Sequence, residues 1–291
     1  MRTYMILGIK AINSNFNADF TEKPKTLPSG EIFASDKVLK YSMRKYWQEN
    51  NKDVFMMKSL DPNKDFEIRT LDQRYTSLFG EIKKGDKTKV FENLLTQTDI
   101  RQFGAAFAVK DANISITGAV QISQGINKYE DSEIFEQTIL SPFKNSKSEK
   151  AKNSTLGSMT LVDECHYFYD IVVNPKSYKE YVDANITKAY NEKDLEDLKN
   201  AALESVTALN TNPKKGCDNE FLMVINTEDD KYLPNLKDLI TLRKEDEKII
   251  LTLDDTDLLD DLDIEIYKDP KLILENFPNV KTYNIYTKKD I

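Results

Sequence analysis

The chain has 291 residues, a formal net charge of -8 and 40% hydrophobic residues, with 14 Phe and 14 Tyr. These values predict a folded, soluble protein that is large enough to bury a core, and they exclude a disordered or fibrous chain. No stretch approaches the ~20 apolar residues of a membrane span, and the N-terminus lacks the apolar core of a signal peptide, so we expect a cytoplasmic protein.

Charge is unevenly divided along the chain. Residues 191–291 hold 24 acids and 14 bases, whereas residues 1–190 hold 25 acids and 27 bases. A polyanion would therefore contact the N-terminal two thirds, and the acidic third would face solvent or another protein. Cys165 and Cys217 lack metal-ligand spacing, which predicts reduced, buried thiols and neither a zinc site nor a disulfide.

The first predicted elements are a strand and an amide-rich loop. Residues 2–13 alternate in a strand pattern with apolar residues on both faces, which predicts a central position in a sheet. Asn, Asp, Ser, Pro and Gly then crowd residues 13–30. Turn formation is the simpler interpretation of Asn13, Asn15 and Asn17, and hydrogen bonding to a ligand is the alternative.

Ser35 is the predicted N-cap of a helix over residues 36–49. The buried stripe of this helix is predicted to be Val38, Leu39, Ser42, Met43, Tyr46 and Trp47. Lys37, Lys40 and Arg44 fall on another face. A solvated face is the simpler interpretation of these three cations, and a phosphate-facing surface is the alternative.

Residues 50–100 are polar and poorly periodic, which predicts an insertion with a short hairpin around residues 83–86. Two apolar strands follow, over residues 104–110 and 113–125. A lysine-rich segment comes next, in which Lys144, Lys147, Lys150 and Lys152 stand against a single acid, Glu149. This local charge reversal in an acidic protein predicts a polyanionic partner.

The remaining pattern completes a strand–helix–strand order. A strand is predicted over residues 166–175, a helix over 191–209 with a capping box at its start, and a strand over 220–229. Together with the first elements, this order predicts an α+β, ferredoxin-like core of the RNA recognition motif kind. A helix over 233–242 and a strand over 248–253 are predicted to extend that core.

The sequence lacks the parts of common enzyme classes. It has one histidine and no nucleophile elbow, Walker-type loop or dinucleotide fingerprint. His166 lies in an apolar strand, which favours a structural role. The acidic run 254–263 lacks the glycine and terminal glutamate of a calcium loop, so a solvated turn or helix is expected. We therefore expect no cofactor, no metal site and no enzymatic activity.

A group of short motifs resembles the crRNA-binding backbone subunit, of the RAMP superfamily, in type I CRISPR-Cas Cascade complexes, in its type I-B-like branch. The residues that carry this resemblance are Asp99, Arg101, Phe103, Gly104, Thr117, Gly118, Val120, Gln121, Ser123, Ser154, Gly157 and Tyr167, with Lys40 and Arg44 in the first helix. The similarity covers residues 1–60 and 99–228, and residues 61–98 and 229–291 do not align.

The resemblance implies a modified ferredoxin-like palm with an inserted finger and thumb, in one elaborated domain. The implied division is a palm over residues 1–50, 99–137 and 161–228, a finger over 51–98, a thumb over 138–160 and an acidic extension over 229–291. With the basic and amide-rich segments, it implies that RNA contacts Asn13, Asn15, Asn17, Lys37, Lys40, Arg44, Gln121, Ser123, Lys144, Lys147, Lys150, Lys152, Ser154 and Thr155.

The resemblance also implies the partners and the activity. The expected partners are CRISPR RNA, target DNA through the guide, further copies of the chain along the RNA and other Cascade subunits, with no membrane. A scaffold of this kind grips phosphate and sugar and leaves the bases free to pair. Two alternatives stay open: a type III-like subunit that cuts target RNA with a metal, and a stand-alone RNA-binding protein.

Overall fold

The fold is that of a computed structural model, which describes residues 2–110, 112–141, 155–228 and 231–291. The strands are β1 Arg2–Ser14, β2 Phe33–Ala34, β3 Leu60–Asp61, β4 Glu67–Ile68, β5 Gly104–Val109, β6 Ala112–Thr117, β7 Val120–Ile122, β8 Gly125–Asn127, β9 Ile134–Ser141, β10 Thr155–Val173, β11 Cys217–Thr227, β12 Ile240–Glu245, β13 Lys248–Leu253, β14 Asp263–Lys268, β15 Ile273–Glu275 and β16 Thr282–Asn284. The helices are α1 Asp36–Glu49, α2 Leu71–Phe79, α3 Lys87–Leu94, α4 Thr98–Phe103, α5 Lys179–Asp183 and α6 Glu192–Glu204.

The main sheet is built around β1. Across the described residues, nine strands form this sheet in the order β16-β14-β11-β1-β10-β8-β2, with β7 and β9 also paired to β10. β1 runs antiparallel to both β10 and β11. Its apolar residues on both faces are buried, as predicted for a central strand.

Two layers cover the two faces of the main sheet. On one face, Leu39 and Met43 of α1 and Leu198 of α6 share a core with Leu7 of β1. On the other face, the three-stranded sheet of β12, β13 and β15 packs through residues such as Leu251, which shares a second core with Ile6 and Phe168. The C-terminal part of the chain therefore supplies the second covering layer, and it also adds β14 and β16 to the main sheet.

β10 continues beyond the main sheet as part of a two-stranded ribbon. Its pairing with β1 ends at Val162, which lies opposite Ser14, whereas its pairing with β9 runs from Val162 to Thr155. We call residues 134–141 and 155–162 the ribbon. Residues 134–140 of β9 are exposed, and Leu140 is 66% exposed.

Three predictions of local structure are wrong, and the first two concern the insertion and the C-terminal extension. Residues 83–86 connect α2 to α3, and the hairpin of the insertion lies earlier in the chain, as β3 and β4. Residues 233–242 form no α-helix but a 3₁₀ turn, Leu236–Leu239, that leads into β12. β12 is a strand because its backbone pairs with β13, an interaction that the local apolar spacing cannot reveal.

The strand predicted over residues 113–125 is interrupted at Gly118. β6 pairs with β5 in a separate two-stranded sheet, whereas β7 joins the main sheet next to β10. The backbone of Gly118 packs directly on that of Gly104, since a Cβ at Gly118 would lie 2.3 Å from the Gly104 nitrogen. The chain therefore changes sheets at a point where no side chain fits.

Other local predictions are confirmed. α1 begins after Ser35, although the Ser35 side chain makes no capping hydrogen bond. Of the predicted stripe, Leu39, Ser42, Met43 and Trp47 are buried, and Val38 and Tyr46 are half-buried. α6 begins at Asn191 with a complete capping box, in which Asp194 accepts a hydrogen bond from the Asn191 N–H. Both thiols are unpaired and buried. Within the described ranges, no helix is long and apolar enough to cross a membrane.

Candidate nucleic-acid interface

Two of the three predicted asparagines, Asn15 and Asn17, lie in the loop after β1 and form hydrogen bonds within the fold. The buried Asn15 amide donates to the carbonyl oxygens of Glu22 and Thr160, each at 3.1 Å. The side-chain oxygen Oδ1 of Asn17 accepts hydrogen bonds from the backbone N–H and the hydroxyl of Ser35, both at 2.8 Å. Asn13 is exposed and has a left-handed backbone with φ of 46°. Of the three, Asn13 is the one presented to solvent.

A lysine that the sequence did not single out supports the same loop. The Lys214 ammonium donates to the carbonyl oxygens of Asn15 at 3.0 Å and Phe16 at 2.6 Å. Burial lowers the pKa of Lys214. The Asn15 Oδ1 atom is buried without a hydrogen-bond partner in the described structure. The only sequence signal for Lys214 was its place in a Lys-Lys-Gly turn after a helix.

The three predicted cations of α1 differ in their surroundings. Lys37 is exposed. Lys40 forms an ion pair with Asp36 at 2.9 Å, and the Arg44 Nε atom donates to Asp99 at the same distance. The three cations of this face therefore differ in how freely they can bind a ligand. Lys37 is open to solvent, whereas Arg44 is held by an ion pair with the protein.

Asp99 is the buried anchor for Arg44. Its side chain has no exposed surface, and it also accepts the backbone N–H groups of Phe55 at 2.8 Å and Met56 at 2.9 Å. Beside it, the ring of Phe103 lies 5.2 Å from the Arg44 guanidinium, within the range of a cation–π contact. The residues that carry the family resemblance thus orient Arg44.

Close packing of two glycines joins the chain segment that carries Phe103 to the segment that carries Gln121. Gly104 directly follows Phe103 and has a left-handed backbone, with φ of 73°. Its ideal Cβ position would lie 2.6 Å from the Gly118 nitrogen, so the two backbones are in contact. Gln121 is exposed and donates to the Gly118 carbonyl oxygen at 3.3 Å. Phe103, whose ring contacts Arg44, and Gln121 therefore lie on the two segments that cross at these glycines.

Ser123 lies in a separate polar group and bonds within the protein. Its N–H donates to the Asp170 carbonyl oxygen at 2.9 Å, and its hydroxyl oxygen accepts from the Asp170 N–H at 2.9 Å. Lys237, which precedes β12, donates to the same hydroxyl at 3.1 Å. Burial raises the pKa of Asp170. No sequence pattern predicts that Lys237 contacts Ser123.

The predicted thumb residues fall mostly outside the described part of the chain. Lys144, Lys147, Lys150, Lys152 and Ser154 are in this group. Thr155 begins β10 and pairs in register with Ser141 of β9.

The described residues contain no group of three or more His, Cys, Asp or Glu side chains that could hold a metal ion. Within the acidic run, Thr256–Leu259 form a 3₁₀ turn, and Asp254 and Asp260 are exposed. This part of the acidic run is thus a solvated turn, and a solvated turn or helix is what the sequence predicts.

Comparison with known families gives an assignment. The family model described as "CRISPR-associated protein Cas7" matches residues 1–264. The chain belongs to the Cas7 family. The predicted resemblance to a CRISPR backbone family is confirmed by this match, and its type I-B-like branch stays a prediction.

Two solved structures are similar to this Cas7-family chain at low sequence identity. One is titled "CRISPR RNA-guided surveillance complex, pre-nicking", with 12% identity, a TM-score of 0.47 and 80% of each chain covered. The other is titled "CRISPR RNA-guided surveillance complex", with 13% identity, a TM-score of 0.49, and 94% of this chain and 95% of that chain covered. A search of curated proteins gives no match.

Proposed function

We propose that this Cas7-family chain is a non-catalytic backbone subunit that binds CRISPR RNA in a type I Cascade complex. Several copies would lie side by side along the guide RNA and present it for pairing with target DNA, next to other Cascade subunits in the cytoplasm. The single observation that carries the proposal is the family match over residues 1–264. Exposed Lys37, Asn13 and Gln121 supply phosphate- and sugar-type contacts that suit this role.

The proposal includes a ferredoxin-like palm. Its support is the antiparallel strand order β11-β1-β10-β8, with α1 and α6 against one face. The finger would be residues 51–98, which hold the β3–β4 hairpin and helices α2 and α3. The thumb would be residues 138–160, which include the end of the ribbon. Residues 229–291 would serve as the extension that covers the second face of the palm.

The RNA contacts within this palm divide into two kinds. Lys37, Gln121 and Asn13 would touch RNA directly, because they are exposed. Asn15, Asn17, Lys40, Arg44 and Ser123 would mainly shape the surface, because each is bonded to a neighbouring residue. Lys144, Lys147, Lys150, Lys152, Ser154 and Thr155 would contribute thumb contacts.

Binding to unrelated single-stranded RNAs of equal length tests the proposed function. We expect similar affinities for all sequences, a steep loss of affinity with salt, and multimers on long RNA in gel filtration. A strong preference for one sequence, or a strictly one-to-one complex, would contradict the proposal. Incubation with guide, complementary RNA and magnesium should leave the RNA intact, and regularly spaced cuts would favour the type III-like alternative.

Lys37→Ala isolates one phosphate contact. We expect weaker RNA binding and a salt dependence that is shallower by about 0.7 in log–log slope, because one counterion fewer is released from single-stranded RNA. Lys271→Ala is the matched control, since Lys271 is also exposed but lies in the C-terminal extension. Equal slopes for the two variants would remove Lys37 from the RNA surface.

A further inference from the structure

Four charged side chains meet where the ribbon leaves the main sheet. They are Glu164 and His166 on β10, Glu220 on β11 and Lys244 on β12, and we call them the ribbon-base cluster. Glu164 lies two residues from Val162, the last residue of β10 that pairs with both β1 and β9. The cluster therefore joins the main sheet to the C-terminal three-stranded sheet directly beside the base of the ribbon.

The distances in the cluster form a continuous chain of alternating charge. Lys244 Nζ donates to Glu164 Oε2 at 2.7 Å, and Glu164 Oε1 lies 3.2 Å from His166 Nε2. His166 Nδ1 lies 2.8 Å and 2.9 Å from the two carboxylate oxygens of Glu220. The side chains of His166 and Glu220 are only 3% and 1% exposed. Water is thus largely excluded from the inner half of the cluster.

The geometry requires a charged imidazole. Carboxylates accept hydrogen bonds, and a neutral imidazole has a single N–H, whereas His166 faces a carboxylate at each ring nitrogen. Only the imidazolium donates from both nitrogens. Without its charge, Glu164 and Glu220 would be two neighbouring anions at a buried position, which is costly.

We propose that His166 is a positioning residue for the ribbon, and that its imidazolium lets Glu164 bind Lys244 and so fixes the ribbon base against the C-terminal sheet. The link to guide RNA rests on the proposed function, because the ribbon is part of the proposed thumb. The fixing of the ribbon itself does not depend on that function.

The pH dependence of the cluster has a definite sign. The charged and titratable groups that face His166 are Glu164, Glu220, Lys244, Tyr129 from the loop after β8, and Lys10 of β1, which itself pairs with Asp269 and Tyr286. Burial lowers the pKa of His166, but the charge of Glu220 and the bonds to both carboxylates outweigh it and raise the pKa from 6.5 to about 9. Bonding to His166 and Lys244 lowers the pKa of Glu164 to about 2. The contribution of the imidazolium is therefore complete below pH 6.5 and is lost as the pH rises through about 9, whereas that of the Glu164 carboxylate is complete above pH 4.5 and is lost as the pH falls toward about 2.

Hydrogen exchange on the full chain tests the positioning role through Lys244→Met, which removes the partly exposed end of the cluster. We expect amides of β9 to exchange roughly fivefold faster than in the wild type, and RNA affinity to fall by a similar factor. Lys244→Arg should restore both. Arg243→Met is the matched control, because Arg243 lies on the same strand and pairs with Glu245 and Glu275 instead.

Exchange measured from pH 6.5 to 9.5 distinguishes this role from simple packing. Relative to amides of α6, those of β9 should become less protected with rising pH in the wild type, and His166→Gln should abolish the pH dependence. Equal effects of Lys244→Met and Arg243→Met, or a β9 protection that does not change with pH, would overturn the proposal. If wild-type protein fails to bind RNA, the proposed function fails while the exchange result still decides the role of His166.

Discussion

Asp99→Ala is expected to lower the free energy of unfolding by about 3–5 kcal/mol, because it removes one partner of a buried ion pair. Three donors lose their acceptor at once: the Arg44 Nε atom and the backbone N–H groups of Phe55 and Met56. Asp99 lies in α4 and connects it to α1 and to the start of the insertion, so the substitution removes contacts among all three segments. Urea unfolding followed by far-UV circular dichroism measures the change.

Two variants separate burial from charge in this result. Asp36→Ala also removes the carboxylate partner of an α1 cation, but Asp36 is 32% exposed, so we expect a cost below about 1 kcal/mol. Asp99→Asn keeps the shape and one acceptor oxygen, and its cost should lie between the other two. If Asp99→Ala were as mild as Asp36→Ala, Asp99 would not be the anchor of Arg44.

The parts of the fold that follow local rules could be predicted from the sequence. The apolar spacing of Leu39, Met43 and Trp47 identified the inner face of α1, and the pair Asn191 and Asp194 identified the start of α6. Both signals arise from residues within one or two helical turns, so no knowledge of the tertiary structure is needed.

The division of the candidate site into exposed and internal residues could not be predicted, because the partners are distant in sequence. Lys214 reaches the carbonyl of Asn15 across 199 positions, and Lys237 reaches Ser123 across 114. The sequence predicts RNA contacts at Asn15 and Ser123, whose side chains are polar. Whether such a side chain bonds to RNA or to its own protein depends on packing that composition does not encode.

The prediction of secondary structure failed where the pairing of strands overrides the local preference of the residues. Residues 233–242 have leucines at helical spacing, yet the backbone of Ile240 pairs with Leu253 in a sheet. In the same way, the break at Gly118 depends on its contact with Gly104, fourteen residues earlier. The first error concerns the C-terminal three-stranded sheet, and the second concerns the contact between Gly104 and Gly118. Neither feature can be predicted from the pattern of apolar residues along one strand.

Gly104→Ala is expected to destabilise the chain by about 2–5 kcal/mol, from backbone strain and overpacking together. The added methyl group would lie 2.1 Å from the Ile116 carbonyl oxygen and 2.6 Å from the Gly118 nitrogen. Both are backbone atoms, so relief requires separating β5 from β6 or moving α4. Thermal and urea unfolding measure the loss, and RNA binding should weaken as well because Phe103 and Gln121 flank this crossing.

Gly80→Ala provides a control with the same kind of backbone. Gly80 has φ of 85°, close to the 73° of Gly104, but its Cβ position has no neighbour within 4 Å. Its cost should therefore be the strain alone, about 1–3 kcal/mol, with unchanged RNA affinity. The difference between the two variants isolates the contact of Gly104 with Gly118. Equal stabilities would mean that the two chain segments can separate at little cost, and that the contact of Gly104 with Gly118 contributes little to stability.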